Sequence, residues 1–185
     1  EKSFTGTPSV EGGGTFSPVA VWVGGVLGSN FSSAGQPNTG SVASNLVNNG
    51  TIEVSDTYSA DCFIAGIIGN SYVSERDNWV NNGKISLSNT YGSRIFVAGL
   101  AGCTQSHLLT NSHNYGEIEV AGTVVGDCCV GGIAGYTTGG NFKGEIINEG
   151  AISISGKSAN LYLGGVLGKW STAATATNAK MANTA

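Results

Sequence analysis

A six-residue segment that recurs five times at nearly constant spacing limits the possible folds of this chain more than any other feature. Each copy has an aliphatic residue, two small residues, two further apolar residues and a glycine. The copies begin at Val23, Ile64, Val97, Val130 and Leu163. Their spacings are 41, 33, 33 and 33 residues, so the first interval carries about eight extra residues, which we place within Ser29–Ser44. Such a fixed period indicates a repeat architecture rather than an ordinary globular enzyme.

A second motif, Asn-x-Gly, stays in step with the first. Its asparagines are Asn48, Asn81, Asn114 and Asn148, and the glycines that follow them lie 33, 33 and 34 residues apart. Two motifs that keep a constant offset over four copies define one structural unit of about 33 residues. The unit is repeated in tandem from residue 21 to residue 168.

Polar and apolar residues alternate after each Asn-x-Gly, which is the period of a strand with one buried face. The predicted inward columns are Ile52, Ile85, Ile118, Ile152 and Val54, Leu87, Val120, Ile154. The predicted outward column is Glu53, Ser86, Glu119, Ser153. Lys84 and Glu117 fall in one further column on neighbouring repeats, so we expect them to form an ion pair.

The asparagine of each Asn-x-Gly is predicted to lie at a corner of the coil. Strands stacked about 4.8 Å apart allow side-chain amides to hydrogen-bond from one repeat to the next. We therefore predict a structural asparagine ladder through Asn48, Asn81, Asn114 and Asn148, with ligand binding as the alternative role. The glycine that follows is predicted to have a positive φ.

The glycine-rich segment reads as a strand that is apolar on both faces. One face carries Val23, Ile64, Val97, Val130, Leu163, and the other carries Val26, Ile67, Leu100, Ile133, Val166. Trp22, Phe63, Phe96, Cys129 and Tyr162 fill another column. A strand buried on both faces needs cover on both sides, from loops of the same chain, a neighbouring subunit or another domain. We interpret it as an internal strand, with Trp22, Phe63, Phe96 and Tyr162 as the alternative, a candidate assembly face.

In-register columns on consecutive repeats predict an all-β fold, a right-handed parallel β-solenoid (β-helix) with rungs of about 33 residues. A ring of separate hairpins ranks second, because the columns lack the mirrored order of hairpin partners. Residues 1–20 are predicted to be an N-terminal segment or cap, 21–170 the solenoid of about five repeats, and 171–185 a small-residue tail or linker. No apolar segment after Gly168 caps the second end, so we expect a longer natural chain or pairing with another molecule.

The composition narrows the range of partners. Net charge of −4 and a pI near 5.0 argue against nucleic acid, which calls for a basic surface. No apolar run approaches the ~18 residues of a membrane span. No secretion signal is recognisable at the N-terminus, so the chain is predicted to be a mature protein or a fragment.

The repeats resemble a known motif. Copies of V-G-G-[VIL]-x-G, each followed by N-x-G-x-[IV], are similar to the GLUG-motif repeats of bacterial secreted and surface proteins. The similarity runs from Val21 to Gly168, although Ala65 and Ala98 replace the first glycine in two copies. Membership of that family implies a non-catalytic stalk or binding region, and it brings no catalytic residue.

Catalysis requires titratable groups that converge on one site. The acids are scattered along the sequence: Asp56, Asp61, Asp77, Asp127, Glu75, Glu145. His107 and His113 lie in one predicted loop, without the spacing or the carboxylate partners of a metal site. No nucleophile-elbow, zinc-protease or phosphate-loop motif occurs. We therefore predict no enzymatic activity, no cofactor and no metal.

The four cysteines are predicted to be mostly unpaired core residues. Cys62 and Cys128 share a column two rungs apart, about 9.5 Å, which is too far for a disulfide. A disulfide that involves Cys103 is the alternative. Cys103 follows its glycine-rich strand whereas Cys129 begins its own, so the two lie at opposite strand ends. Secretion favours paired cysteines, so unpaired ones count mildly against an extracellular location. Two glycosylation sequons begin at Asn30 and Asn49.

These features predict a non-catalytic structural or adhesive β-solenoid at the cell surface or outside the cell. A self-assembling filament subunit is the second hypothesis, and a carbohydrate-active β-helix enzyme is the third. Expected partners are further copies of the chain, other domains of the same protein, or surface glycans. Loss of function on replacing Asp61 or Asp127 with Asn would favour the enzyme.

Overall fold

The computed structural model describes residues 2–4, 20–29, 42–72, 75–171 and 174–185. All regular elements in these ranges are β-strands, and all their pairings are parallel. Strands pair with the equivalent strand about one repeat later, so the chain stacks as five rungs joined by four repeat-length steps. The predicted parallel β-solenoid is confirmed. No helix in the described ranges is long and apolar enough to cross a membrane.

The strands divide among the five rungs. Rung 1 contains β1 (Lys2–Phe4), β2 (Ala20–Gly24), β3 (Leu27–Ser29), β4 (Val42–Ser44) and β5 (Val47–Asn48). Rung 2 contains β6 (Ile52–Val54), β7 (Asp61–Ala65), β8 (Ile68–Ser71), β9 (Glu75–Asp77) and β10 (Val80–Asn81). Rung 3 contains β11 (Ile85–Leu87), β12 (Thr90–Tyr91), β13 (Ile95–Ala98) and β14 (Ala101–Asn114). Rung 4 contains β15 (Ile118–Gly131) and β16 (Ala134–Asn148), and rung 5 contains β17 (Ile152–Gly164), β18 (Leu167–Trp170) and β19 (Ala174–Asn183).

Each rung has two arms that belong to different sheets. The first arm runs up to the paired glycines and lies in a 9-stranded sheet, and the second arm runs on to the next asparagine in a 10-stranded sheet. Ser29 pairs with Asn70 and Val42 with Glu75. The extra residues of the first repeat therefore fall between Ser29 and Val42, and residues 30–41 lie outside the described ranges.

Each arm folds back on itself around its own apolar core. In the first arm the two predicted inward columns, from Ile52 and Val54 onward, pack against the columns of Cys62 and Ile64. The second-arm core contains Ile67, Ile68, Trp79, Leu100, Ala101, Leu109, Ile133, Phe142 and Ile146. Because each column continues from rung to rung, the cores run along the axis of the stack.

The glycine-rich segment is a corner, not one strand. The chain bends at Gly66 and Ile67 in rung 2 and at the equivalent positions of the other rungs. Ile64, before the bend, lies in the first core, and Ile67, after it, lies in the second. The interpretation of a single strand with two apolar faces is therefore wrong. The sequence pattern resembled one strand with two apolar faces because the residues on both sides of this tight corner are buried, each against a different core.

Residues near both chain ends join the stack. β1 pairs with β6 in rung 2, so part of the predicted N-terminal segment occupies the first-arm position of rung 1. β19 pairs with β16, so residues 174–183 form a strand of rung 5, where a tail or linker was predicted. The small residues of β19 show no alternation of large apolar side chains, so no sequence pattern revealed this strand. Pairing with the edge of β16 replaces that alternation as the source of order.

The glycines of the Asn-x-Gly motif do not have the predicted positive φ. At Gly50, Gly83, Gly116 and Gly150 the φ angle lies outside the left-handed region. A β-carbon on Gly83 would lie 2.0 Å from the carbonyl oxygen of Gly50. Glycine is therefore required by the close approach of stacked corners, not by the backbone conformation.

Candidate functional site

The predicted asparagine ladder is present along the whole stack. Each Nδ2 donates to Oδ1 of the asparagine on the next rung, at 2.8 Å from Asn48 to Asn81, 2.8 Å from Asn81 to Asn114 and 2.7 Å from Asn114 to Asn148. The ladder continues to Asn183, which accepts from Asn148 at 2.6 Å. Asn81, Asn114 and Asn148 are fully buried, so these bonds run through the interior.

The ladder lies against the paired-glycine corner, and we call this contact the waist. A β-carbon on Gly66 would lie 2.3 Å from Cγ of Asn81, and the same approach occurs between Gly99 and Asn114. The second glycine of the pair is therefore the residue that lets the corner touch the ladder. The Nδ2 atoms of the four predicted ladder asparagines also donate to the carbonyl of the glycine two residues later, for example from Asn81 to Gly83 at 2.9 Å. The ladder amides are already hydrogen-bonded within the chain, which favours their structural role over ligand binding.

A second asparagine column was missed by the sequence analysis. Asn45, Asn78, Asn111 and Asn178 have φ between 45° and 58°, and Gly144, with φ of 68°, takes the equivalent place in rung 4. Asparagine and glycine are the residues that adopt this left-handed conformation at least cost. Asn78 donates to Oδ1 of Asn45 at 2.8 Å. The spacing of about 33 residues, with glycine as the substitute, was the signal that would have revealed it.

The candidate assembly face is buried in its middle rungs and partly exposed toward both ends. Phe63 and Phe96 stack with ring centroids 4.8 Å apart, and Tyr136 of the second arm stacks on Phe96 at 5.6 Å. Phe96 is 4% exposed and Cys129 is fully buried. Phe63 and Tyr162 are half-buried, and Trp22 is 45% exposed. In rung 3 the cover of this column therefore comes from Tyr136 of the same chain.

Ion pairs join neighbouring rungs along the outside of the stack. The predicted pair of Lys84 and Glu117 is confirmed at 3.2 Å, and Glu119 also contacts Lys84 at 2.7 Å. Asp61 is bound by Arg94 of the next rung. Asp127 accepts from Lys169 at 2.9 Å, and the same ammonium lies 4.1 Å from the ring centroid of Tyr162.

Asp61 and Asp127 are held as ionised groups by these contacts. Burial alone would raise the pKa of Asp61, but hydrogen bonds from Arg94 and Ser93 outweigh it, so the pKa lies below its ordinary value. Hydrogen bonds from Lys169 and Asn160 lower the pKa of Asp127. A general acid needs the opposite shift, toward the working pH.

All four cysteines are free and buried. Cys62 and Cys128 both pair in register with Ile95, from opposite sides, so they share a column two rungs apart as predicted. Burial raises the pKa of Cys62 and of Cys103 to about 12. The thiolate, which is the reactive form, is therefore scarce at neutral pH.

Arg76 is a buried cation in the second-arm core. It is 1% exposed, and no described carboxylate forms an ion pair with it. Nε donates to Oγ of Ser71 at 2.8 Å and Nη2 to the carbonyl of Ser71 at 3.0 Å. Nη1 has no hydrogen-bond partner among the described residues. Burial lowers the pKa of Arg76 to about 9.

A polar depression of about 380 Å³ lies on the outer face of the second arm. Its lining contains Glu75, Asp77, Thr110, Asn111 and Lys143, which come from three successive rungs. Asp77 accepts from Thr110 Oγ1 at 2.5 Å and from Asn111 Nδ2 at 3.1 Å. Glu75 and Asp77 are two residues apart in β9, and the fold adds hydroxyl, amide and ammonium groups from the next two rungs.

Other predicted residues fall in varied places. Asn30 lies outside the described residues, whereas Asn49 is exposed and accepts from Nδ2 of Asn82 at 2.8 Å. His107 and His113 lie in the long strand β14 rather than in a loop. The His113 ring is half-buried and stacks on Tyr115 at 5.7 Å. No group of three or more His, Cys, Asp or Glu side chains in the described ranges is arranged to hold a metal ion.

Comparisons with known proteins add no relative. No protein-family model matches the chain, and the comparisons with curated proteins and with solved structures found no match. The resemblance to GLUG-motif repeats therefore stays a prediction from the residues.

Proposed function

We propose that the chain is a non-catalytic structural and adhesive β-solenoid module of a secreted or cell-surface protein. The observation that carries the proposal is the asparagine ladder, in which the most regular polar side chains of the repeat bond to their own equivalents on the next rung. Groups used in this way stabilise a stack and are not available to a substrate. An internally bonded stack suits a spacer that presents a surface.

The cysteines are compatible with an oxidising location. Cys62 and Cys128 are separated by a whole rung, and the thiols of all four cysteines are buried. Burial raises the pKa of Cys129 to about 12 and that of Cys128 to about 11. Thiols with so little thiolate oxidise slowly, which is compatible with unpaired cysteines in a secreted protein.

The polar depression is the adhesive surface of this proposal. Carboxylate, hydroxyl, amide and ammonium groups converge there, which suits a ligand rich in hydroxyl groups such as a surface glycan. Thr110 and Asn111 both donate to Oδ1 of Asp77, so the carboxylate is oriented before any ligand arrives.

The test is binding of the fluorescently labelled chain to immobilised glycans, with release of reducing sugar measured on the same materials. Binding without sugar release is expected, and the double variant Glu75→Gln, Asp77→Asn should lose most of the binding. The matched control is Glu145→Gln, because this exposed carboxylate is bound to Lys180 and does not line the depression. Binding that is unaffected by the double variant would remove the depression from the proposal.

The carbohydrate-active enzyme predicts a different result. Asp61→Asn and Asp127→Asn should leave every activity of a structural module unchanged, because each carboxylate only links neighbouring rungs. Release of reducing sugar that disappears in either variant would overturn the structural proposal in favour of the enzyme.

A further inference from the structure

The middle position of the Asn-x-Gly motif is itself asparagine in the first two copies, which creates two Asn-Gly pairs. These pairs are Asn49-Gly50 and Asn82-Gly83, and the next two copies have other residues at this position. The side chains of Asn49 and Asn82 are exposed. Asparagine is among the thermally labile residues, and a following glycine, which has no side chain, gives the least hindrance to loss of the amide. Both pairs are therefore candidate sites of deamidation.

Deamidation starts at the backbone nitrogen of the glycine. In the second pair the nitrogen of Gly83 loses its proton and bonds to Cγ of Asn82, the bond from Cγ to Nδ2 breaks, and ammonia leaves with that proton. The product is a cyclic succinimide. Water then adds to either carbonyl carbon and opens the ring to aspartate or to isoaspartate, in which the main chain runs through the side-chain carboxyl carbon. The reaction consumes only water, but it requires a free glycine N–H and a corner that can rotate.

The ladder binds both of these glycine N–H groups. Gly50 donates to Oδ1 of Asn48 at 3.1 Å, and Gly83 donates to Oδ1 of Asn81 at 3.3 Å. The acceptors lie in the interior, since Asn81 is fully buried and Asn48 is 6% exposed. Each bond favours the protonated nitrogen and has to break before that nitrogen can attack. A ladder asparagine therefore opposes the reaction of the exposed asparagine beside it.

Stacking also restrains rotation at the second corner. The backbone N–H of Asn82 donates to the carbonyl of Asn48 at 2.8 Å, and its Nδ2 donates to Oδ1 of Asn49 at 2.8 Å. Gly83 lies so close to the corner below that a β-carbon on it would be 2.0 Å from the carbonyl oxygen of Gly50. Closure of the succinimide ring moves the Gly83 nitrogen onto Cγ of Asn82, so these contacts resist it.

From these contacts we propose that Asn49 and Asn82 are deamidation sites that the asparagine ladder keeps unreactive. The ladder then has two roles, because it joins the rungs and also protects the exposed amides at their corners. Loss of the bond to either glycine releases the reaction at the asparagine before it. This inference does not depend on the proposed function, since it concerns the amides of the chain itself and not a ligand.

The same corner determines what deamidation of Asn82 would change. Aspartate at this position has no amide to donate to Asn49, so the exposed bond between rungs is lost. Isoaspartate adds a carbon atom to the main chain beside Gly83, whose carbonyl oxygen would lie 2.0 Å from a β-carbon on Gly116 of the next corner. No space is left there for a longer backbone, so isoaspartate should disrupt the stack more than aspartate.

The first test compares the folded wild-type chain with the same chain unfolded in guanidinium chloride, both incubated in mildly alkaline buffer. Peptide mapping by mass spectrometry identifies conversion at each asparagine. Asn49 and Asn82 should react at least about tenfold more slowly in the folded chain, where the reaction has to wait for local opening. Similar rates in the two states overturn the proposal.

Two variants then separate the bond to glycine from the general stability of the fold. Asn48→Ala removes the acceptor of the first glycine and Asn81→Ala that of the second, and both remove the same ladder bond. Asn48→Ala should accelerate conversion of Asn49 roughly fivefold more than that of Asn82, as expected for the loss of one hydrogen bond, and Asn81→Ala should do the reverse. Each variant is thus the matched control of the other.

Circular dichroism shows whether each variant is folded before incubation, and the comparison within the wild-type chain does not depend on either variant. In guanidinium chloride the variants should react at the wild-type rate, because the ladder is absent there. Equal acceleration of both sites in a folded variant overturns the proposal in favour of a general loosening of the stack. A folded variant without acceleration at the adjacent asparagine overturns it as well.

Discussion

The two arms of each rung have the same pairing pattern but different interiors. The buried cluster of the first arm contains only aliphatic residues, cysteine and tyrosine. The second arm buries Ser71, Arg76, Thr104, Ser112 and Thr137 beside its apolar residues. Thr104 donates to Thr137 of the next rung at 2.9 Å, and Ser71 binds Arg76. Parallel stacking thus tolerates a polar interior where most polar groups find a partner on their own or the next rung, although Nη1 of Arg76 has none among the described residues.

The largest loss of stability is expected when a charged side chain is introduced into the core of the first arm. Ile85→Asp or Ile118→Asp should cost more than about 4 kcal/mol and unfold the array, because no polar partner lies in that core. Urea unfolding followed by circular dichroism measures the change. Ile85→Val, which keeps the shape, should cost only about 1 kcal/mol. A soluble Ile85→Asp chain with wild-type stability would contradict the assignment of the inward columns.

The waist between the arms should be the next most sensitive region. Asn81→Ala removes bonds to Asn48, Asn114 and Gly83, so we expect a loss of about 3 kcal/mol in the free energy of unfolding. Asn82→Ala is the matched control, because the adjacent exposed asparagine makes one surface bond and should cost below about 0.5 kcal/mol. Equal losses in the two variants would show that the buried ladder adds nothing specific.

Alkaline pH should destabilise the first arm through its thiols. Burial raises the pKa of Cys62 from 9.0 to about 12 and that of Cys128 from 9.0 to about 11. The unfolded chain ionises these thiols first, so the stability they contribute is full below pH 9 and is lost as pH rises toward their folded values. Between about pH 8 and pH 10 the two thiols together should remove roughly 2.7 kcal/mol.

Thermal unfolding at the two pH values measures this loss. The double variant Cys62→Val, Cys128→Val is the comparison, because it removes both thiols and keeps apolar side chains in the column. Its stability should fall less between the two pH values than that of the wild type. An identical fall in both chains would show that these thiols ionise as readily in the folded state.

The smallest change in stability is expected when Arg76, the buried charge of the second arm, is replaced. Arg76→Met should change stability by no more than about 1 kcal/mol in either direction, because the lost hydrogen bonds are offset by the relief of a buried cation. Ser71→Ala should cost more, since it leaves the guanidinium in place without its hydroxyl acceptor. Urea unfolding of the two variants decides the order, and a larger cost for Arg76→Met would show that the guanidinium itself stabilises the arm.

The regular parts of the solenoid were predictable because each rung repeats the same local requirement. The inward columns of the first arm, the asparagine ladder and the pair of Lys84 and Glu117 all follow from one spacing, since parallel in-register stacking places equivalent residues next to each other. The irregular parts were not predictable in this way. Strand β19 has no apolar alternation, and Arg76 has no equivalent charge in the rungs on either side of it.

The sequence by itself determined the period, the parallel stacking and which residues share a column. Only the tertiary structure decided where the chain turns within a rung, and so which apolar residues belong to which core. The paired glycines are compatible with either a strand or a corner, and the choice depends on the approach of Asn81 to Gly66, which joins residues from different segments of one rung. Column membership is a one-dimensional property of the repeat, whereas the path of a rung depends on contacts between its two arms.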